Sequence, residues 1–167
     1  TTNGHQSLFR VLPPGEVGPG KPVTHRENTG IIFEAEEMRH TIGRVVDDPE
    51  ASMKKAVQAP RDPDRPGKLV FQNAYRFFPS GKYQAVARVK SAGNADPRPL
   101  LLMDVVTYQG KKTIARREIL GTDFQTPGRY QRFTLPFEIT RPEILEVRLY
   151  TFGRETVWAD KIVVSFA

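Results

Sequence analysis

The residues of this chain best suited to chemistry are acids near its two ends. The stretch Gly30-Ile31-Ile32-Phe33-Glu34-Ala35-Glu36-Glu37-Met38 has the pattern of a strand, yet it holds three carboxylates within four positions. On a strand, residues two apart leave the same face, so Glu34 and Glu36 are expected side by side. Two like charges so placed repel unless something positive lies between them. A hard divalent cation with oxygen ligands meets that need. Pairing with Arg39, Arg44 or Lys161 meets it equally, and plain exposure to solvent removes it. A further acid, Asp160, stands in Val157-Trp158-Ala159-Asp160-Lys161-Ile162-Val163-Val164. Three carboxylates converge if the first and last strands are neighbours.

Little else has a catalytic pattern. His5, His25 and His40 are scattered, and no Gly-x-Ser-x-Gly elbow, His-Glu-x-x-His helix or phosphate-cradling loop is present. Carboxylate pairs that hydrolyse glycosides flank the bond across a cleft, whereas Glu34 and Glu36 are expected to project together from one strand. The chain therefore reads as a non-enzyme. The lack of cysteine excludes disulfides, thiolate metal sites and cysteine nucleophiles. A net charge of +6 favours acidic partners. Its Lys and Arg come in pairs, such as Lys54-Lys55, Lys111-Lys112 and Arg116-Arg117, and do not alternate with aromatic residues. Specific nucleic-acid binding is not expected from such a pattern. No apolar run approaches membrane-spanning length.

The elements that must position the acids are strands. A length of 167 residues suits one domain with a real core. Residues 1–29 hold many breakers, including Pro13-Pro14-Gly15 and Gly18-Pro19-Gly20, and read as an arm or linker with a short strand at Leu8–Leu12. The opening residue, Thr1, is expected of a processed product or of part of a larger protein. From residue 68 onward the hydrophobic period is close to two, which predicts strands over 68–77, 83–90, 100–108, 113–119, 130–139, 144–152 and 157–166. Ala51–Val57 reads as a helical turn or an irregular strand, and the strand is preferred. No convincing amphipathic helix appears. About eight strands with short turns predict an all-β antiparallel sandwich over 30–167, and neighbouring first and last strands suit a jelly roll.

Three motifs in order carry a resemblance: Glu34-Ala35-Glu36, Gly81-Lys82-Tyr83-Gln84-Ala85-Val86-Ala87-Arg88-Val89-Lys90, and Trp158-Ala159-Asp160-Lys161-Ile162-Val163-Val164. Together they resemble the carbohydrate-binding modules of families six and thirty-five, which are galactose-binding-like jelly rolls. The resemblance implies a non-catalytic sugar-binding sandwich with a structural calcium. It further implies attachment to a catalytic or surface domain, outside the cell or on its surface. Glu34, Glu36 and Asp160 match the acids that hold the ion in those modules. A backbone carbonyl near Lys55 is implied as a further ligand, although Met53 and Lys54 stand where the family has small residues. Such an ion would pin both ends of the domain and serve stability.

Sugars are gripped by aromatic faces, with amides, carboxylates and guanidinium groups on their hydroxyls. The resembled modules place their usual site in loops at one end of the sandwich, and a second on a concave sheet face. Candidates for the loop site are Tyr108, Phe124, Arg129, Tyr130 and Trp158. Tyr130 is similar in place to the family's loop tryptophan. Trp158 stands where a ligand-binding Asn is common, and its phase with Ile162 and Val164 predicts a core or rim position. Tyr75 reads as packing, while Asn73, Asp104 and Arg148 are candidates for the concave face. The positive charge tilts the expected ligand toward an acidic polysaccharide. The thin supply of aromatic residues keeps an alternative open, a structural or interaction sandwich of a multidomain surface protein.

Overall fold

The computed structural model describes residues 30–71, 76–107 and 110–167. The arm over 1–29, with the strand expected at Leu8–Leu12, lies outside these residues, as do Asn73, Tyr75 and Tyr108. Eleven strands form among the described residues: β1 Gly30–Glu34, β2 Arg44–Asp47, β3 Lys55–Ala59, β4 Gly67–Phe71, β5 Arg76–Phe78, β6 Gly81–Ser91, β7 Pro99–Thr107, β8 Thr113–Leu120, β9 Gln131–Ile139, β10 Glu143–Thr151 and β11 Val157–Phe166. The count exceeds the expected eight in part because β2 is a short ribbon in turn-rich sequence; it pairs with β3, which overlaps the irregular strand expected over Ala51–Val57. The strand expected over 68–77 contributes β4 and β5, which lie on either side of residues 72–75.

Two antiparallel sheets make the sandwich, as the alternation predicts. One sheet runs β2-β3-β11-β6-β9, and β1 also pairs with β11. Strand β6 covers one edge of β11 along its length, so β3 and β1 share the other edge, at residues 157–159 and 161–165 respectively. The second sheet runs β4-β10-β7-β8, and there β4 and β5 share one edge of β10 in the same manner. The first and last strands are thus neighbours, with Gly30 opposite Ser165 and Glu34 opposite Lys161.

One continuous core lies between the sheets. Strand β9 supplies Phe133, Leu135, Phe137 and Ile139 to it, and exposes Arg132, Thr134, Pro136 and Glu138 on the other face. Pro136 is tolerated because β9 is an edge strand with no ladder on its outer side. At the far end of the core, Tyr83 stacks between Phe137 (5.2 Å) and Phe166 (4.7 Å). Its hydroxyl donates to the Pro79 carbonyl at 2.6 Å, so the one polar atom of the stack is satisfied.

Strand β11 departs from simple alternation. Ala159 faces Val89 and Lys161 faces Arg88, which leaves Asp160 as an extra residue, a β-bulge. Before the bulge Val157 and Ala159 point into the core, and after it Ile162 and Val164 do. Trp158, expected in phase with Ile162, therefore faces outward and is half-buried.

Candidate functional site

The bulge shapes the acidic corner. Strand β1 stays paired to β11 only as far as Glu34 opposite Lys161, and the next position of β11 is the bulged Asp160. Losing its partner there, the chain closes a 3-10 turn over Ala35–Glu37, with Met38 N–H donating to the Ala35 carbonyl at 3.0 Å. Glu34 and Glu36 are consequently not partners on one strand face, as alternation predicts. A turn brings them to the same corner instead.

At that corner the Ser52 hydroxyl lies 2.9 Å from Glu34 Oε2 and 3.0 Å from Asp160 Oδ1. It has one proton for two acceptors. The Ser52 N–H also donates to Asp160 Oδ1 at 2.9 Å, and Arg88 donates to Asp160 Oδ2 at 2.5 Å. Asp160 is fully buried. Both carboxylate oxygens of Glu36 are buried with no hydrogen-bond partner. Burial first, and the charge of Glu34 next, push the Glu36 pKa up to about 7. Burial also raises that of Glu34, against the hydrogen bond from Ser52. An orphaned buried carboxylate, beside two others that share one hydroxyl proton, is short of positive charge. Carboxylate and hydroxyl oxygens of this kind are ligands that a hard cation takes. Among the described residues, however, no three His, Cys, Asp or Glu side chains are grouped so that they could hold a metal ion as they lie.

The Lys55 carbonyl was expected at this corner through the small-residue turn. Lys54 occupies the left-handed region that such a turn requires, with φ at 63°. Its ammonium donates to the Pro49 carbonyl at 3.0 Å, which helps to hold a residue other than glycine in that conformation. Lys55 opens β3, and its exposed ammonium pairs with Asp47 at 2.5 Å.

Beside the acidic corner, the outer face of the larger sheet carries an aromatic cluster. Cross-strand register sets Arg44 opposite Gln58, Gln58 opposite Trp158, and Trp158 opposite Lys90. The Lys90 ammonium lies 4.6 Å from the ring centre of Trp158 and 4.6 Å from that of Tyr130. Arg88 adds a second cation over the Tyr130 ring at 4.5 Å. Asp48 locks the group: it accepts from Lys90 at 2.6 Å, from the Tyr130 hydroxyl at 2.7 Å and from Glu50 N–H at 3.0 Å. Burial alone would raise the Asp48 pKa, but the hydrogen bonds from Lys90 and Tyr130 outweigh it and hold the carboxyl below its usual range. The Tyr130 hydroxyl is pushed up by burial and by its carboxylate acceptor. A tight turn ahead of Tyr130 aims it here, with Gly128 at φ 75° and its N–H on the Ser91 carbonyl at 2.8 Å.

The other sugar candidates fare differently. Phe124 is not a loop platform. The 3-10 turn Gly121–Asp123 folds it into the core, where it is 2% exposed and meets the Phe133 ring edge-on at 5.1 Å. Arg129 is exposed in the turn before Tyr130. Asp104 and Arg148 face outward on the smaller sheet and form a two-pronged ion pair at 2.9 and 2.7 Å. Sequence reasoning passed over Ser52, Asp48, Arg88 and Lys90. The alternation of Arg88 and Lys90 on the outer face of β6 was the available signal for two of them.

No protein-family model matches the sequence, and no curated protein matches it. The fold, however, is shared with several solved structures. The C-terminal family 6 carbohydrate-binding module of a laminarinase from Zobellia galactanivorans superposes with a TM-score of 0.57 at 12% identity, covering 82% of this chain and 99% of that one. A family 6 module from Clostridium stercorarium, solved with cellobiose, gives 0.56 at 13% identity over 81% of this chain and 93% of its own. A family 35 module from Cellvibrio japonicus gives 0.55 at 13% identity, covering 81% and 92%. The β-sandwich of this chain has the fold of the family 6 and family 35 carbohydrate-binding modules.

Proposed function

We propose that this domain is a non-catalytic carbohydrate-binding module that carries an attached catalytic or surface domain to a polysaccharide outside the cell. One observation carries the reading. The bulge at Asp160 turns Trp158 out of the core and into line with Lys90 and Tyr130, on a sandwich whose relatives in fold include a module solved with cellobiose. A sugar ring would stack on the exposed part of the Trp158 indole, while Lys90 and Arg129 donate to its hydroxyls.

A structural calcium is the second part of the proposal. Glu34, Glu36 and Asp160 Oδ1 would hold it, with a carbonyl near Lys55, while Arg88 keeps Asp160 Oδ2. When bound, the ion supplies the positive charge that the buried Glu36 carboxylate lacks. It would tie β1 to β11, so its effect is on stability.

The position of the Lys90 ammonium between the two rings favours a second reading, in which the cluster only stiffens a sandwich that serves as a spacer or docking surface. Affinity electrophoresis through gels containing xylan, glucan or polygalacturonate separates the two. Retardation in at least one gel, lost in Trp158→Ala with no more than a small fall in Tm, supports carbohydrate binding. Unretarded migration in every gel leaves the spacer.

A further inference from the structure

The row of side chains that starts at Lys90 does not end at Trp158. Gln58 of β3 stands opposite Trp158, and Arg44 of the edge strand β2 stands opposite Gln58. Gln58 also lines a hollow of about 350 Å³ between β2 and the loop that leaves β3. Binding sites for small ligands occupy about 300–1,000 Å³, so the hollow has room for one. Its lining combines two arginines, Arg44 and Arg65, with Asp62 and the apolar surface of Ile42 and Pro60. Both arginines are exposed, and among the described residues neither enters an ion pair.

The loop wall of this hollow is set by the fold. Asp62 N–H donates to the Gly153 carbonyl at 3.0 Å, and Arg65 N–H donates to the Asp62 carbonyl at 3.0 Å. Arg61 N–H donates to Thr156 Oγ1 at 3.0 Å, and Asp64 N–H to Asp62 Oδ1 at 3.2 Å. Pro60, Pro63 and Pro66 remove backbone freedom between those bonds. A backbone fixed in advance need not be ordered when a ligand arrives. Guanidinium groups grip a carboxylate with two parallel hydrogen bonds, while the Asp62 carboxylate and the Gln58 amide suit hydroxyls. Asp62 also opposes a doubly charged phosphate more than a single carboxylate. One carboxylate and several hydroxyls on a small ring describe a uronic acid.

We infer that the hollow between β2 and the 60–66 loop binds a uronic acid unit of a polysaccharide whose neighbouring unit lies on Trp158. The inference rests on the carbohydrate-binding reading and deepens it with a ligand class and a direction across the sheet. Gln58 borders both places, since it stands opposite Trp158 and lines the hollow. Two strand spacings, about 10 Å, separate Trp158 from Arg44, a distance that neighbouring units of one polymer span. A chain running from Lys90 past Trp158 to Arg44 is gripped along its length, with a sugar face on the indole and an acid group on the arginines.

Titration calorimetry of the full chain against oligosaccharides of polygalacturonate and of glucuronoxylan, each also with its carboxyl groups reduced to alcohols, tests this. At least one acidic oligosaccharide should bind more tightly than its carboxyl-reduced form. Arg65 is exposed, so Arg65→Gln should fold normally. It should weaken binding of that acidic ligand about tenfold, the worth of one charge-assisted hydrogen bond, and leave the affinity for the carboxyl-reduced form nearly unchanged. Arg65→Lys should recover only part of the loss, because an ammonium lacks the planar fork. Lys112→Gln makes the same charge change just before β8, away from the hollow, and should have little effect. Equal binding of acidic and carboxyl-reduced forms, or equal losses in Arg65→Gln and Lys112→Gln, overturns the inference. If the carboxyl-reduced forms still bind and lose affinity in Trp158→Ala, the carbohydrate-binding reading survives that failure. Acidic binding that depends on Arg65 but is unchanged in Trp158→Ala would separate the hollow from the indole and overturn the shared chain. Absence of all binding overturns the inference together with the reading beneath it.

Discussion

The phenol of Tyr130 donates to Asp48 Oδ2 at 2.7 Å, joining residues 82 positions apart in the chain. The same oxygen accepts from Lys90 at 2.6 Å. These two bonds differ in kind, and so should the cost of removing each. Tyr130→Phe keeps the ring, its cationic neighbours and the Lys90–Asp48 pair, and loses one hydrogen bond to a charged acceptor. A loss of about 1.5 kcal/mol is expected. Lys90→Met leaves the Asp48 carboxylate nearly buried without its cation, and about 3 kcal/mol is expected. Urea unfolding of both variants gives the order. Equal costs would mean that the ammonium is not what holds Asp48.

The bulge at Asp160 makes a similar comparison possible within one strand. Simple alternation puts Trp158 and Ile162 on the same face, whereas the bulge puts only Ile162 in the core, at 0% exposure. Ile162→Ala should cost about 2–5 kcal/mol, as truncations in packed cores do. Trp158→Ala should cost about 1 kcal/mol, because the indole lies on the outer face and loses chiefly its contact with Lys90. A Trp158→Ala cost equal to that of Ile162→Ala would place the indole in the core and remove the proposed sugar platform.

Much of the sandwich was legible in the sequence because an antiparallel strand with one wet face writes its orientation in every second residue. Strand β9 is the clearest case, with Phe133, Leu135, Phe137 and Ile139 inward as the pattern predicts. The acids at the two ends of the domain were likewise legible as a convergence, since β1 and β11 are neighbours. What period two cannot carry is an inserted residue. One bulge reversed the expected face of Trp158, and by ending the β1 ladder it replaced the shared strand face of Glu34 and Glu36 with a turn. Phe124 was misread for another reason. Turn residues on both sides mark it as loop, but nothing local says that the loop folds inward over Phe133. The Asp48–Lys90–Tyr130 lock depends on three segments distant in sequence, none with a motif of its own.

On the smaller sheet, Arg148 binds Asp104 with two parallel hydrogen bonds, and Asp104 is 8% exposed. Charges this far from water stabilise little as a pair, but an unpaired one is expensive. Arg148→Leu alone should lower stability by about 3 kcal/mol, and Asp104→Leu alone by a comparable amount. The double variant should recover most of either loss. Denaturant unfolding of the four proteins in the cycle measures the coupling. Additive losses would show that the pair is screened by solvent and energetically idle.

The acidic corner predicts opposite responses to pH with and without its ion. Glu36 has a folded-state pKa of about 7, above the ordinary 4.5 of an unfolded glutamate. Without metal, the folded state keeps a proton that the unfolded state has released between those values. Its stabilising share is therefore complete below about pH 4.5 and is lost as pH rises through about 7. In a chelator, Tm should fall from pH 5 to pH 8. Calcium needs the carboxylate form, so it should raise Tm strongly at pH 8 and weakly at pH 5, removing or reversing the slope. At a hundredfold excess over Kd the gain is about 2.7 kcal/mol, or roughly 10 °C for a domain of this size. Glu36→Gln should abolish both the calcium response and the chelator-dependent slope. A Tm that ignores calcium at pH 8 would leave the Glu36 carboxylate buried without a counter-charge and would remove the ion from the proposal.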